Sequence, residues 1–163
     1  MGTDSEVAIG HLDADSFYVA AERVRNRFLL GKPVGVLGNQ GACVIAKSYE
    51  LKAFSVRTGE PIWEAIPKCP ESIYVKRDFR WYEVLSRQML AFISELSPQV
   101  EYYSIDEFFF IAVSLPGTTL QQTAEAIRDR IWKEIGTLLA DPHRIFRRPD
   151  VIGFLHTLVS CHS

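Results

Sequence analysis

The stretch YYSIDEFFF, residues 102 to 110, sets two adjacent carboxylates, Asp106 and Glu107, inside an aromatic and aliphatic run. Neither carboxylate can stay ionised in an apolar setting without a compensating charge. The wider segment QVEYYSIDEFFFIAVSLPG is rich in β-branched and aromatic residues, which predicts strand. In one straight strand Asp106 and Glu107 would point to opposite faces, and one of them would be driven into the core. A tight hairpin centred on Ser104–Glu107 avoids this. Val100–Tyr103 and Phe108–Val113 then pair as antiparallel arms, and both carboxylates sit at the exposed tip. The plain alternative is that both acids are solvated turn residues, since Asp is favoured in turns.

The rest of the chain supplies the layers around this hairpin. EVAIGHLDAD reads as a short buried strand ending at a pair of acids, Asp13 and Asp15. SFYVAAERVRNRFL follows with Phe17, Ala20, Ala21, Val24 and Phe28 at helical spacing, and Asp15 is its expected N-cap. GKPVGVLGNQGACVIAKSYE reads as two strands around a Gly-Asn-Gln-Gly turn. Gly35, Gly38 and Gly41 lack the GxGxxG spacing of a dinucleotide loop, so a plain hairpin is the better reading there. SVRTGEPIWEAIPKCP reads as a turn-rich connector. WYEVLSRQMLAFISELSP predicts a helix with the stripe Trp81, Leu85, Met89, Phe92 and Leu96, stopped by Pro98. TTLQQTAEAIRDRIWKEIGTLL predicts another, with Leu120, Ala124, Ile127, Ile131, Ile135 and Leu138 on one face. The order β-α-β-β, then α-β-α, is that of an α/β (α+β) fold with helices covering one side of a sheet.

Composition bounds the class. The 163 residues, 47% hydrophobic and 12% aromatic, are enough for one domain with a proper core or for part of a larger one. No stretch reaches the ~18 uninterrupted apolar residues of a membrane span, and the N-terminus has no secretory pattern. Gly2 alone does not support a lipid anchor. Cys43, Cys69 and Cys161 lack CxxC spacing, which predicts reduced thiols in a cytoplasmic protein. The formal charge of −2 speaks against the basic surface of a nucleic-acid binder.

Asp13 sharpens the question posed by the hairpin. If the first strand lies beside it, Asp13, Asp106 and Glu107 converge, and three carboxylates repel one another unless a divalent cation neutralises them. Mg²⁺ suits such hard oxygen ligands. Two such ions could activate one oxygen and stabilise another in an in-line displacement at phosphorus. On these grounds a nucleotide cyclase or another palm-like enzyme fits as well as a polymerase.

LDADSFYVAAE, VIAKSYELKAFSVRTGEP and YYSIDEFFF, in that order, resemble the Y-family (translesion, UmuC/DinB-like) DNA polymerases over roughly residues 7 to 135. The resemblance implies a palm formed by residues 1–25 and 79–139, with a mixed or antiparallel sheet, and a small fingers insert at 26–78. It implies template-directed DNA synthesis past damage, with two Mg²⁺ ions, primer–template DNA and a deoxynucleoside triphosphate. Asp13 and Asp106 match the shared metal ligands, the Ala14 carbonyl a backbone ligand, and Glu107 the acid that helps hold the catalytic metal and the primer 3′-hydroxyl. Tyr18, after Phe17, falls on the steric gate that excludes a ribose 2′-hydroxyl; both are expected at the nucleotide. Tyr49 and Lys52 match the pair that grips the triphosphate. The family usually has Arg where Lys52 stands, and Lys gives a point charge with no bidentate fork. Arg57 is expected to be a solvated surface residue.

After Ile135 the resemblance stops. GTLLADPHRIFRRPDVIGFLHTLVSCHS matches neither the further palm strand nor the triphosphate-binding Lys of the family. A truncated product lacking thumb and C-terminal DNA-gripping domain, and with them any sliding-clamp contact, is the expectation for the divergent tail 140–163. Its basic patch (His143, Arg144, Arg147, Arg148) is followed by His156, Cys161 and His162, whose spacing is not that of a zinc site. The alternative to an enzyme is a non-catalytic remnant or accessory module that keeps the fold.

Overall fold

The computed structural model describes residues 7–14, 16–114 and 117–120 and the single positions 122, 125, 126, 129 and 133. In chain order the elements are β1 (Val7–Asp13), α1 (Phe17–Arg25), β2 (Val34–Leu37), β3 (Val44–Lys47), α2 (Tyr49–Lys52), α3 (Ile62–Lys68), β4 (Ile73–Lys76), α4 (Phe79–Leu96), β5 (Val100–Tyr102) and β6 (Glu107–Val113). Short 3₁₀ turns occupy Arg27–Leu29 and Asn39–Gly41. The described residues form two compact units. One joins the residues before 15 to those from 83 onward; the other is residues 16–82.

The first unit is built on an antiparallel sheet ordered β1-β6-β5. Phe108, Phe110 and Ala112 of β6 are buried and alternate with more accessible residues, the period-2 signature of a half-buried strand. Gly10 lies directly across from Phe110, whose ring covers it so closely that any Cβ there would run into the ring. Leu12 of β1 and Leu85, Met89, Phe92 and Ile93 of α4 complete the buried apolar set. The α4 stripe thus matches its expected spacing, with Ile93 added and with Trp81 and Leu96 only half-buried.

The second unit is built on a mixed sheet ordered β3-β2-β4, antiparallel between β2 and β3 and parallel between β2 and β4. Every residue of β2 is buried, as expected of a central strand. Ser48 caps α2 by accepting from the Leu51 N–H at 3.2 Å, and the same hydroxyl accepts from the Val34 N–H at 3.0 Å. Asp78 caps α4 by accepting from the Trp81 N–H at 3.2 Å.

Two expectations change, and one strand lies where the sequence carries no clear pattern. The segment read as a connector contains α3, flanked by Pro61 as N-cap and carrying Pro67 in its last turn. Pro is tolerated at a helix start, and Pro67 sits where the seven-residue helix is about to end. The segment ESIYVK contains β4, which pairs with β2 from Val34↔Ile73 to Leu37↔Lys76. Finally, Ser16 rather than Asp15 holds the N-cap position of α1, in a left-handed conformation with φ 55°. Its hydroxyl donates to the Lys47 carbonyl at 3.3 Å, and Asp15 lies outside the described residues.

Of the helix expected over 118–139, Leu120, Gln122, Glu125, Ala126 and Asp129 are helical. Its face residues Ala124, Ile127, Ile131, Ile135 and Leu138 lie outside the described residues, as do the basic patch and His156, Cys161 and His162. Among the described residues no helix is long and apolar enough to cross a membrane.

Candidate active site

The carboxylates belong to the first unit. β1 and β6 pair with Asp13 directly across from Glu107, and the Ala14 N–H donates to the Asp106 carbonyl at 2.9 Å. The turn ahead of β6 is closed by the Tyr103 and Ser104 N–H groups, both donating to the Glu107 carbonyl at 3.1 and 3.0 Å. The end of β1 and the start of β6 therefore bring Asp13, Ala14, Asp106 and Glu107 together along the backbone. Asp13 is exposed, while Asp106 and Glu107 are half-buried. The Ser104 hydroxyl donates to Asp106 Oδ1 at 2.8 Å.

Glu107 has a partner that spacing alone did not flag. The His11 imidazole meets it, Nε2 to Oε1 at 2.6 Å. The clue was present in the sequence: His11 and Asp13 are two residues apart on a strand and so share a face. Among the described residues no three His, Cys, Asp or Glu side chains are gathered as an ion-enclosing group. The donor set nevertheless fits a hard divalent cation in its chemistry, with carboxylate and carbonyl oxygens at two paired strand ends.

The remaining candidates belong to the second unit. The Tyr18 ring stacks on Tyr82 with centroids 4.8 Å apart and planes at 18°, and it meets Phe79 at 5.7 Å. Tyr82 is fully buried, and its hydroxyl donates to Glu22 Oε1 at 2.6 Å. Arg25 grips both oxygens of Glu22 at 2.8 and 2.9 Å and donates to Asp78 Oδ2 at 2.7 Å. Burial first, then the bond to Glu22, pushes the Tyr82 phenol well above its ordinary pKa. The bond to Glu22 is likewise the largest influence holding Arg25 in its charged form. Tyr18 thus rests against a ring that is itself fixed at its far end. Phe17, by contrast, is 2% exposed, so its ring is a core residue.

Tyr49 opens α2 and is 42% exposed, and Lys52 Nζ lies 4.3 Å from the centre of its ring. Lys47, at the end of β3, donates to Thr58 Oγ1 at 2.9 Å. Burial, and then repulsion from Lys52, lowers its pKa. This second ammonium beside the Tyr49–Lys52 pair was not singled out from the sequence. Arg57 is exposed, as expected.

The chain is similar to known proteins over most of its length. DNA polymerase IV 1 of Bacillus subtilis is 37% identical over 131 residues, covering 78% of this chain and 32% of that protein. DNA polymerase IV of Bacillus velezensis is 36% identical over the same length and shares. This chain therefore spans about a third of the length of these relatives. A Dbh ternary complex superposes with a TM-score of 0.69 at 27% identity, covering 79% of this chain and 38% of that one. DinB from Sulfolobus solfataricus gives 0.67 at 27% identity, covering 80% of this chain and 38% of that one. The α/β architecture with its antiparallel and mixed sheets is thus that of the Y-family polymerases. Residues 12–139 match one family throughout, and the chain belongs to it: the impB/mucB/samB family.

Proposed function

We propose that this chain carries the catalytic portion of a translesion DNA polymerase, which extends a primer on a template by nucleotidyl transfer. The observation that carries the reading is the β1–β6 register. It sets Asp13 opposite Glu107 and ties Ala14 to Asp106 by a backbone hydrogen bond. Asp13, Asp106, Glu107 and the Ala14 carbonyl are the groups that would hold two Mg²⁺ ions. When bound, the metal supplies a lowered pKa for the primer 3′-hydroxyl and charge neutralisation for the triphosphate.

The other roles follow from the chain's own side chains. Tyr49 presents a hydroxyl and Lys52 an ammonium to the triphosphate, and Lys52 is kept near the ring by its cation–π contact. Tyr18, backed by Tyr82, offers a flat ring that cannot yield to an added 2′-oxygen. In this reading residues 1–25 and 79–139 are palm and 26–78 fingers.

Primer extension with Mg²⁺ and each deoxy- and ribonucleotide tests the proposal, with the intact chain run beside Asp106→Ala and Tyr18→Ala. The expected result is extension that Asp106→Ala abolishes and ribonucleotide entry that Tyr18→Ala admits. A folded intact chain that extends no primer would instead favour the non-catalytic reading.

A further inference from the structure

We infer that His11 is a positioning residue for Glu107: its Nε2–H fixes one carboxylate oxygen and leaves the other turned toward the metal-binding end of the strand pair. This rests on the reading of Asp13, Asp106 and Glu107 as metal ligands. The argument starts from the sheet register. His11 and Asp13 share one face of β1, and their partners across the sheet are Phe109 and Glu107. Asp13 and Glu107, directly opposite, repel each other. A glutamate with three rotatable bonds would relieve that repulsion by swinging into solvent.

His11 prevents the swing. In this proposal Nε2 carries the imidazole proton and donates to Oε1, which lies within hydrogen-bond distance at 2.6 Å. The imidazole is itself immobilised. It stacks on Phe109 with centroids 4.4 Å apart and planes at 13°, and Tyr103 closes edge-on against Phe109 at 5.6 Å. The row Tyr103–Phe109–His11 thus leads to one oxygen of Glu107. Both members of the pair are partly accessible, with side-chain exposures of 24% and 28%. At that exposure an ion pair contributes little to stability, whereas a fixed carboxylate orientation is what a ligand set needs.

The test is Mn²⁺ uptake by the intact chain, read from the electron paramagnetic resonance signal of the free ion. His11→Ala should weaken uptake by about tenfold, the range seen when a ligand's outer hydrogen-bond partner is removed. His11→Gln keeps an N–H donor on a side chain of similar reach and should restore most of it. Asp106→Ala should lose uptake. Thermal midpoints in EDTA should agree for the intact chain and both His11 variants, which separates positioning from folding. Undiminished or tighter uptake by His11→Ala, with Asp106→Ala deficient, overturns the role of His11 and leaves the metal reading standing. Failure of His11→Gln to restore uptake also overturns it, because packing of the ring would then be what matters. A folded intact chain that takes up no Mn²⁺ overturns both.

Discussion

In residues 16–82, buried charge is closed on itself. Glu22, 3% exposed, is held by Tyr82 and by both arms of Arg25. Arg23, 8% exposed, donates to the Leu29 and Lys32 carbonyls and to Glu50. Glu60, 6% exposed, meets Lys68 at 2.8 Å. The β1–β6 pair is arranged otherwise. Asp13 stands exposed across from another acid, and the groups found on Glu107 and Asp106 are a histidine and a serine hydroxyl. The buried acids of residues 16–82 are paired within the fold, whereas Asp13, Asp106 and Glu107 are grouped at one end of the β1–β6 pair, where an added cation would lower the energy. Removing an acid should therefore have opposite consequences in the two units.

The largest effect is expected at Glu22. Glu22→Ala leaves the buried Tyr82 hydroxyl without its acceptor and takes from Arg25 a two-pronged partner. Leaving the buried Tyr82 hydroxyl unpaired costs about 2 kcal/mol, while the exposed Arg25 guanidinium regains water; the loss is to be read from urea unfolding of the variant beside the intact chain. A loss well under 1 kcal/mol would mean that Asp78 alone satisfies Arg25, and the contrast between the units would fail.

Tyr82 sharpens the contrast through pH. Its phenol is pushed up in the fold by burial and by Glu22. Its contribution is therefore complete below the ordinary tyrosine value, about 10, and is lost as pH rises beyond it, because the unfolded chain deprotonates first. Unfolding midpoints between pH 8 and 11 should fall for the intact chain and run flatter for Tyr82→Phe. At neutral pH that variant should lose about 1 kcal/mol, the net value of one hydrogen bond. An equal alkaline slope in both proteins would sink the assignment.

Much of this was legible in the sequence, and the exceptions have physical causes. The strand β1, the hairpin at Ser104–Glu107 and the stripe of α4 follow from periodicity and from the cost of burying an acid, but the convergence of Asp13 with Glu107 stood only on the condition that the first strand lies beside the hairpin, which the β1–β6 register supplies. The four residues of β4 were not, because Ile73–Lys76 is too short for its pattern to outweigh noise and gains its place only by pairing with β2. The network around Glu22 was also out of reach. Residues 22 and 82 are brought together by tertiary packing, and a glutamate on an amphipathic helix ordinarily reads as solvated. His11 lay between these cases: its shared face with Asp13 was readable, but its bond to Glu107 needed the register.

The smallest effect is the most diagnostic. Asp13→Asn removes one of two like charges lying directly opposite on antiparallel strands, an arrangement worth a few tenths of a kcal/mol to about 1 kcal/mol. In EDTA the variant should be as stable as the intact chain or more so by that margin, the reverse of Glu22→Ala. Millimolar Mn²⁺ should then raise the unfolding midpoint of the intact chain, because an ion that binds only the folded state stabilises it by mass action. It should raise that of Asp13→Asn far less. If Asp13→Asn destabilises the metal-free protein as strongly as Glu22→Ala does, then Asp13 is engaged in folding as fully as the acids of residues 16–82. The two units would then no longer differ in the way that makes β1 and β6 a site.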